Sequence, residues 1–207
     1  RILVNSISDL FHPQVPDEYI HRIFDVIEEA DQHVFQVLTK HGADNGRLAE
    51  WERWPDNLWM GVTVETAARK DRIDELRKTD AAVKWVSFEP LLGKIAPDLE
   101  DIDWVVVGGE SGDDHRRMNH AWARTILTAT WKLGPDTRVP YFFKQSSGEY
   151  PETGQALAVY PYNSYKEAIA KAGEDFVVEF QEYPDALTDE LEAERPDLVD
   201  KVVSVDG

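Results

Sequence analysis

Six short apolar runs, each ending in polar or glycine residues, constrain the fold of this chain more than any other feature. Amphipathic helical segments lie between several of these runs, so the chain alternates between strand and helix. Short strands that alternate with helices are typical of a parallel sheet buried on both faces, and they predict an α/β fold. The predicted strands are Ile2–Val4, Val34–Leu38, Leu58–Val64, Val83–Phe88, Trp104–Val107 and Tyr141–Phe143.

Three of the connecting segments are predicted to be helices. The first begins at Pro16, where Asp17 and Glu18 supply negative charge to the first turn. The second runs from Thr66, which can cap a helix, to about Lys78, and the third runs from about residue 121 to residue 133. Gly134 and Pro135 then stop the third helix.

The alternation ends near Gly148, which predicts two parts: 1–148 as the repeated strand and helix region, and 149–207 as a small C-terminal appendage. The appendage is predicted to contain a helix at Lys166–Ala172 and a strand at Phe176–Phe180. From Glu182 onward the chain is strongly acidic, so we expect a cap followed by a partly mobile tail.

Composition limits the classes of function. The 207 residues contain no Cys, so they can supply neither a disulfide nor a thiolate ligand. The formal net charge of −18 opposes broad nucleic-acid binding and binding to anionic membranes. It is typical of a halophilic protein in a salty cytoplasm, and a cationic partner is the alternative. Because Arg1 is followed at once by a strand, we expect a fragment of a longer protein.

Polar residues at the strand ends are the candidate site. Parallel strands bring their carboxyl ends to one face, where α/β proteins bind ligands. The alternative for any single residue is that polar side chains merely mark the end of a strand. The residues predicted to meet there are Asn5, Asp9, Lys40, Glu65, Glu89, Glu110 and Lys144.

Gly108-Gly109-Glu110 does not have the spacing of a phosphate-binding loop, and Glu110 would repel phosphate. The two glycines are better explained by a backbone that passes close to a ligand or adopts a positive φ. Glu110 could then accept hydrogen bonds from a ligand.

His12 and a basic cluster leave several interpretations open. His12 follows Asp9 by three residues and could form an acid–base pair with it, although a loop histidine is more often structural. His115, Arg116 and Arg117 either neutralise nearby carboxylates or hold an anionic substrate group. A metal site made of two histidines and a carboxylate has no support from spacing, and we expect no metal.

Six blocks carry a resemblance to a known family: ILVNSISDLFHPQVPDEYI, HVFQVLTK, LWMGVTVE, VKWVSFEPLLG, DWVVVGGESG and PYFFKQ. In this order they resemble a phage-associated family of unknown function that is often described as radical-SAM-like. The resemblance covers about residues 2–145 and implies a partial (β/α) barrel whose N-terminal portion is missing. Where the family continues from Lys-Gln into Trp-Gly, this chain has Ser146-Ser147.

The resemblance also implies cofactors and roles. Complete members carry an upstream cysteine cluster for a [4Fe–4S] cluster that cleaves S-adenosylmethionine. This chain lacks that region, so an upstream segment or a partner would have to cover the edge of Ile2–Val4. The residues implied for cofactor contact are Gly108, Gly109, Glu110 and Ser111. The other implied roles are substrate orientation, proton transfer and a place near the cluster. The residues implied for them are Lys40, Glu65, Glu89, Lys144, Asp9 and His12.

Two other classes of function stay open. The chain could be a cluster-free barrel that binds a small molecule or a protein, or a hydrolase or lyase that uses the carboxylates with or without Mg²⁺. Carboxylates suit hard cations, but no Asp-x-Asp spacing is present.

Overall fold

Six parallel strands form the main sheet of the computed structural model, which describes residues 1–5, 7–131 and 138–184. Their order in the sheet is their order in the sequence, as in a sector of a (β/α) barrel. The predicted α/β fold class is therefore confirmed. The strands are β1 (Ile2–Val4), β2 (Phe35–Thr39), β3 (Leu58–Thr63), β4 (Val83–Phe88), β5 (Trp104–Gly108) and β6 (Tyr141–Gln145).

The chain divides into two compact units, which are described separately. The first comprises Arg1–Val64, Ala68–Ser87 and Asp101–Asp103. The second comprises Glu65–Ala67, Phe88–Glu100 and Trp104–Gly207. The predicted division of the chain at residue 148 stays a prediction.

In the first unit, α1 (Asp17–Glu29) covers the core with one face. Ile20, Phe24 and Ile27 are buried at the expected helical spacing. All six residues of β3 are buried, as expected for an internal strand of a parallel sheet. β1 pairs with β2, and Ile2 and Leu3 are 41% and 48% exposed. A segment or partner that covers the other edge of β1 stays a prediction.

The predicted helix from Thr66 to Lys78 is not continuous. A 3-10 helix at Ala67–Arg69 precedes α3 (Asp71–Arg77), which follows the short α2 (His41–Asp44) in chain order. A 3-10 turn often precedes an α-helix. Helix propensity alone does not predict the residue at which the 3-10 turn ends and the α-helix begins. No described helix is long and apolar enough to cross a membrane.

The second unit contains β5, β6 and α4 (His120–Trp131), followed by the appendage. In the appendage, β7 (Ala156–Ala158) pairs antiparallel with β8 (Val177–Glu179), and α5 (Tyr165–Ala172) lies between them in the chain. The predicted helix and strand of the appendage are therefore confirmed. Strand β7 was not predicted, because Ala156-Leu157-Ala158 contains none of the β-branched and aromatic residues that favour strands.

Glu182 belongs to the packed part of the second unit, so the expected tail does not begin there. Its carboxylate accepts hydrogen bonds from Arg138 Nη2 at 2.9 Å and from the Tyr141 amide at 2.8 Å. Its carbonyl oxygen accepts a hydrogen bond from the Trp104 indole at 2.8 Å. The rest of the expected tail, from residue 185, and the expected helix stop at Gly134-Pro135 lie outside the described residues.

Candidate functional site

The predicted site residues fall into two groups, one in each unit. Asp9, His12 and Lys40 lie in the first unit, close to the carboxyl ends of β1 and β2. In the second unit lie Glu65, Glu89, Gly108, Gly109, Glu110, Ser111 and Lys144.

Asp9 ties the loop after β1 to the end of β2. Its Oδ1 accepts hydrogen bonds from the Phe11 amide at 3.0 Å and from Thr39 Oγ1 at 2.6 Å. Its Oδ2 accepts hydrogen bonds from the amides of Lys40 at 2.9 Å and His41 at 3.1 Å. None of these four donors is the His12 imidazole. A carboxylate with four donors is suited to fixing loop geometry.

His12 is held by backbone contacts and packs against a second histidine. Its Nδ1 accepts a hydrogen bond from the Gln14 amide at 3.2 Å, so in the neutral ring the proton lies on Nε2. The rings of His12 and His41 meet edge to face, with centroids 4.6 Å apart. Arg47 donates to the carbonyl oxygens of His12 and Val15 at 3.0 and 2.8 Å, and this fixes the loop.

A cleft of about 730 Å³ opens at this place in the first unit. Its volume is within the range of small-molecule sites, about 300–1,000 Å³. The polar and charged side chains that line it come from three strand ends and the loop after β1. They are Asn5, Ser8, Asp9, His12, Gln14, Thr39, Lys40, His41 and Thr63.

In the second unit, an acid and a base pair at the ends of β4 and β6. Lys144 Nζ donates to both carboxylate oxygens of Glu89, at 2.8 and 3.1 Å. The side chains of Lys144 and Glu89 are 45% and 24% exposed, so solvent and ligands can reach the pair. A Cβ at Gly108 would lie 3.0 Å from the Glu89 carboxyl carbon, so Gly108 leaves room for that carboxylate. Glu65 accepts a hydrogen bond from the Leu92 amide at 3.0 Å through its carbonyl oxygen.

Gly109 allows two backbone segments to approach each other. A Cβ at this position would lie 2.2 Å from the Ser147 nitrogen, a distance that real side chains do not reach. The Gly109 amide donates to the Gln145 carbonyl oxygen at 3.0 Å. The glycine of this loop with a positive φ is Gly112, at 121°. Internal packing is therefore sufficient to explain Gly109, and a positive φ at Gly108 or Gly109, one of the two alternatives, is not found.

Glu110 is paired with Arg116. The guanidinium donates to Glu110 Oε1 at 2.6 Å and to Oε2 at 2.8 Å, and the Arg116 amide also donates to Oε2 at 2.8 Å. These hydrogen bonds lower the pKa of Glu110 to about 2. This geometry favours the interpretation in which Arg116 neutralises a carboxylate. Ser111 continues the loop and forms a bridge with Gly148.

Ser146 and His120 form a buried pair that sequence reasoning missed. Ser146 Oγ lies 2.8 Å from His120 Nε2, and His120 Nδ1 accepts a hydrogen bond from the Ala158 amide at 2.9 Å. In the neutral ring Nε2 therefore carries the proton and donates to the serine. Burial, together with the positive charge of Arg124, lowers the pKa of His120 to about 3. A ring nitrogen that already carries a proton cannot accept the serine proton, so we interpret the pair as structural.

Comparison with known proteins shows the family of the chain. The model of a family described as "Protein of unknown function (DUF5131)" matches residues 1–190. The chain belongs to this family. No curated protein and no solved structure matches it. The DUF5131 match extends beyond Gln145, where the sequence resemblance ended, so it takes in the described part of the appendage up to residue 184.

This DUF5131 chain brings some predicted site residues together within each unit. Asp9 contacts Lys40 in the first unit, and Glu89 contacts Lys144 in the second. The histidine that joins the first group, His41, was not predicted. Its only sequence signal is its place two residues after β2. In the described ranges, no three His, Asp or Glu side chains are grouped so that they could hold a metal ion.

Proposed function

We propose that this chain is the ligand-binding part of a radical-SAM-like (β/α) barrel protein, with its ligand sites at the carboxyl ends of the strands. The observation that carries the proposal is the cleft of about 730 Å³ in the first unit, where polar side chains converge at the ends of β1, β2 and β3. Ligands of α/β proteins bind at such strand ends. The cleft would hold the substrate, with Lys40 and His12 in contact with it and Asp9 positioning the loop.

In the second unit, Glu89 and Lys144 would orient the substrate or move a proton. A carboxylate and an ammonium group 2.8 Å apart offer both an acceptor and a donor, and the pair is accessible. A ligand that carries both an ammonium group and a carboxylate could bind Glu89 with the first and Lys144 with the second. Glu65, at the end of β3, would serve the same face of the second unit.

The loop of Gly108, Gly109, Glu110 and Ser111 is the proposed contact for S-adenosylmethionine. Contacts within the protein already involve this loop. Gly108 and Gly109 allow Glu89 and Ser147 to approach the backbone, and Arg116 binds Glu110. What supports the contact is the place of the loop at the end of β5. With no Cys in the 207 residues, this chain supplies no thiolate for a [4Fe–4S] cluster, and no step of the proposed function runs through one.

Replacing Glu110 with Gln tests the cofactor contact. We expect wild-type protein to bind S-adenosylmethionine in isothermal titration calorimetry, and Glu110→Gln to bind it about tenfold more weakly, because a charged hydrogen-bond acceptor is lost. Glu167→Gln is the matched control, since Glu167 also pairs with a surface cation, Lys171, at 2.8 Å. Equal affinity of wild type and Glu110→Gln would remove the role of Glu110.

The calorimetric result also separates the classes of function. If wild-type protein does not bind S-adenosylmethionine at all, the radical-SAM-like proposal fails. A cluster-free ligand-binding module would then be the function that the cleft supports. That second candidate rests on the same observation, the cleft in the first unit.

A further inference from the structure

We propose that the ion pair of Glu89 and Lys144 in the second unit binds a small molecule through its α-amino acid group. The ammonium group of the ligand would bind Glu89, and its carboxylate would bind Lys144. The inference names a class of substrate for this pair, so it rests on the role in substrate orientation proposed above. It does not use the cleft of the first unit or the contact at Glu110.

A shift in strand register brings Lys144 to Glu89. Gly108 of β5 pairs with Gln145 of β6, whereas the residue before Gly108 pairs with Phe143. Lys144 is therefore the extra residue of β6, as in a β-bulge. Bulges are rare in parallel strand pairs, and beside active sites they redirect side chains. Here the extra residue is the one whose Nζ lies 2.8 Å from Glu89 Oε1.

Gly108 lies beside the carboxylate of the pair. In the sheet order β5 lies between β4 and β6, so an ion pair between the ends of β4 and β6 has to cross β5. A Cβ at Gly108 would lie 3.0 Å from the Glu89 carboxyl carbon and 3.3 Å from Oε1, the oxygen that binds Lys144. The Leu91 amide donates to the Gly108 carbonyl oxygen at 2.9 Å and holds this segment against β5. The two charges therefore meet beside a strand position that carries no side chain.

The charges of the pair select for a ligand with both signs of charge. In the part of the chain that the structure describes, the Glu89 and Lys144 side chains have only each other as polar partners. Glu89 would repel a ligand with only a carboxylate, and Lys144 would repel one with only an ammonium group. An α-amino acid offers each side chain a partner equivalent to the one that it gives up, and the site stays neutral.

The pair is exposed enough for a ligand to open it. The side chains of Lys144 and Glu89 are 45% and 24% exposed. Ion pairs of this kind contribute little to stability, because water solvates the separated charges. The pair of Arg138 and Glu182 is different, since those side chains are 10% and 3% exposed and their separation would leave buried charges. The pair of Glu89 and Lys144 therefore suits exchange with a ligand.

A nitrogen-15 NMR titration of the whole chain with L-alanine tests the inference. Propionate and ethylamine are the matched probes, because each is alanine without one of its two charged groups. We expect L-alanine to shift the amide signals of Gly108 and Lys144. It should bind about tenfold more tightly than either probe, since each probe lacks one charge-assisted hydrogen bond.

Two variants should change the preference in opposite directions, which a purely structural role would not do. Lys144→Met leaves Glu89 without its ammonium partner, so the variant should bind L-alanine about tenfold more weakly than wild type and ethylamine more tightly. Glu89→Gln should also bind L-alanine more weakly, but it should bind propionate more tightly. Lys171→Met is the matched control and should bind L-alanine as wild type does, since Lys171 also pairs with a glutamate at 2.8 Å.

Several outcomes would overturn the inference. They are no binding of L-alanine by wild type, equal affinity of wild type for L-alanine and either probe, and unchanged preferences in both variants. Circular dichroism melts establish that each variant is folded, and the comparison of probes in wild type decides the question without the variants. If S-adenosylmethionine binds and L-alanine does not, this inference alone falls. The reverse result would overturn the cofactor proposal and leave the amino acid site standing.

Discussion

Replacing Arg72 with Met is expected to lower the free energy of unfolding by about 2 kcal/mol, because the buried Thr63 carbonyl loses its charged donor while the partly exposed Asp44 carboxylate can be solvated. Arg72 is 4% exposed, and its guanidinium donates to both oxygens of Asp44, at 2.7 and 2.9 Å. It also donates to the Thr63 carbonyl oxygen at 2.6 Å, at the end of β3. The substitution leaves that carbonyl and the carboxylate without their main donor, although Met fills much of the volume.

Lys78→Met is the matched control for this prediction. Lys78 follows α3 directly and pairs with Glu75, but its side chain is 57% exposed. Its loss should change the free energy of unfolding by less than about 1 kcal/mol, as for other surface ion pairs. Urea denaturation of the three proteins measures both effects. A change for Arg72→Met no larger than that for Lys78→Met would contradict the structural role of Arg72.

The second large effect is a loss of stability in acid caused by His120. Burial lowers its pKa from 6.5 to about 3, so below pH 6.5 the unfolded chain binds a proton that the folded chain does not. The free energy of unfolding therefore decreases as pH falls from 6.5 toward 3, by about 1.4 kcal/mol per pH unit. By pH 5 this one residue should cost about 2 kcal/mol.

His120→Asn isolates this contribution. Asn can still accept the hydrogen bond from the Ala158 amide, but it does not titrate. The variant should be less stable at pH 7, and the further loss between pH 7 and pH 5 should be smaller than in wild type by about 2 kcal/mol. His33→Asn, at an exposed histidine, should keep the wild-type loss. An unchanged loss in His120→Asn would show that His120 is not buried in its neutral form.

The strand pattern could be predicted because buried parallel strands are apolar almost throughout. β3 and β5, fully buried, were placed to within a residue. β6 extends two residues beyond its apolar part, since Lys144 and Gln145 belong to the strand although their side chains are polar. Periodicity does not show such an extension, because backbone hydrogen bonds and not side chains define it.

The positions of the strand ends could be predicted from the sequence, but the contacts that their side chains make could not. Parallel topology alone places Glu89 and Lys144 at strand ends. The sequence left two roles open for the basic cluster: it could neutralise carboxylates or hold an anionic substrate group. The pairing of Glu110 with Arg116, six residues later, corresponds to the first. The pairing of His120 with Ser146, and the burial of Glu182 against Arg138, depend on contacts between residues far apart in the sequence. Residue type and spacing carry no signal for such contacts.

Above all, we propose that S-adenosylmethionine binds at the carboxyl ends of the strands. A nitrogen-15 NMR titration of the whole chain with S-adenosylmethionine tests it most directly. We expect the largest amide shift changes at strand-end residues of the second unit, with Gly109, Glu110 and Ser111 among them. Shift changes concentrated at the amino ends of the strands, near Asp56 and Asn57 before β3, would contradict it, as would a spectrum that does not change.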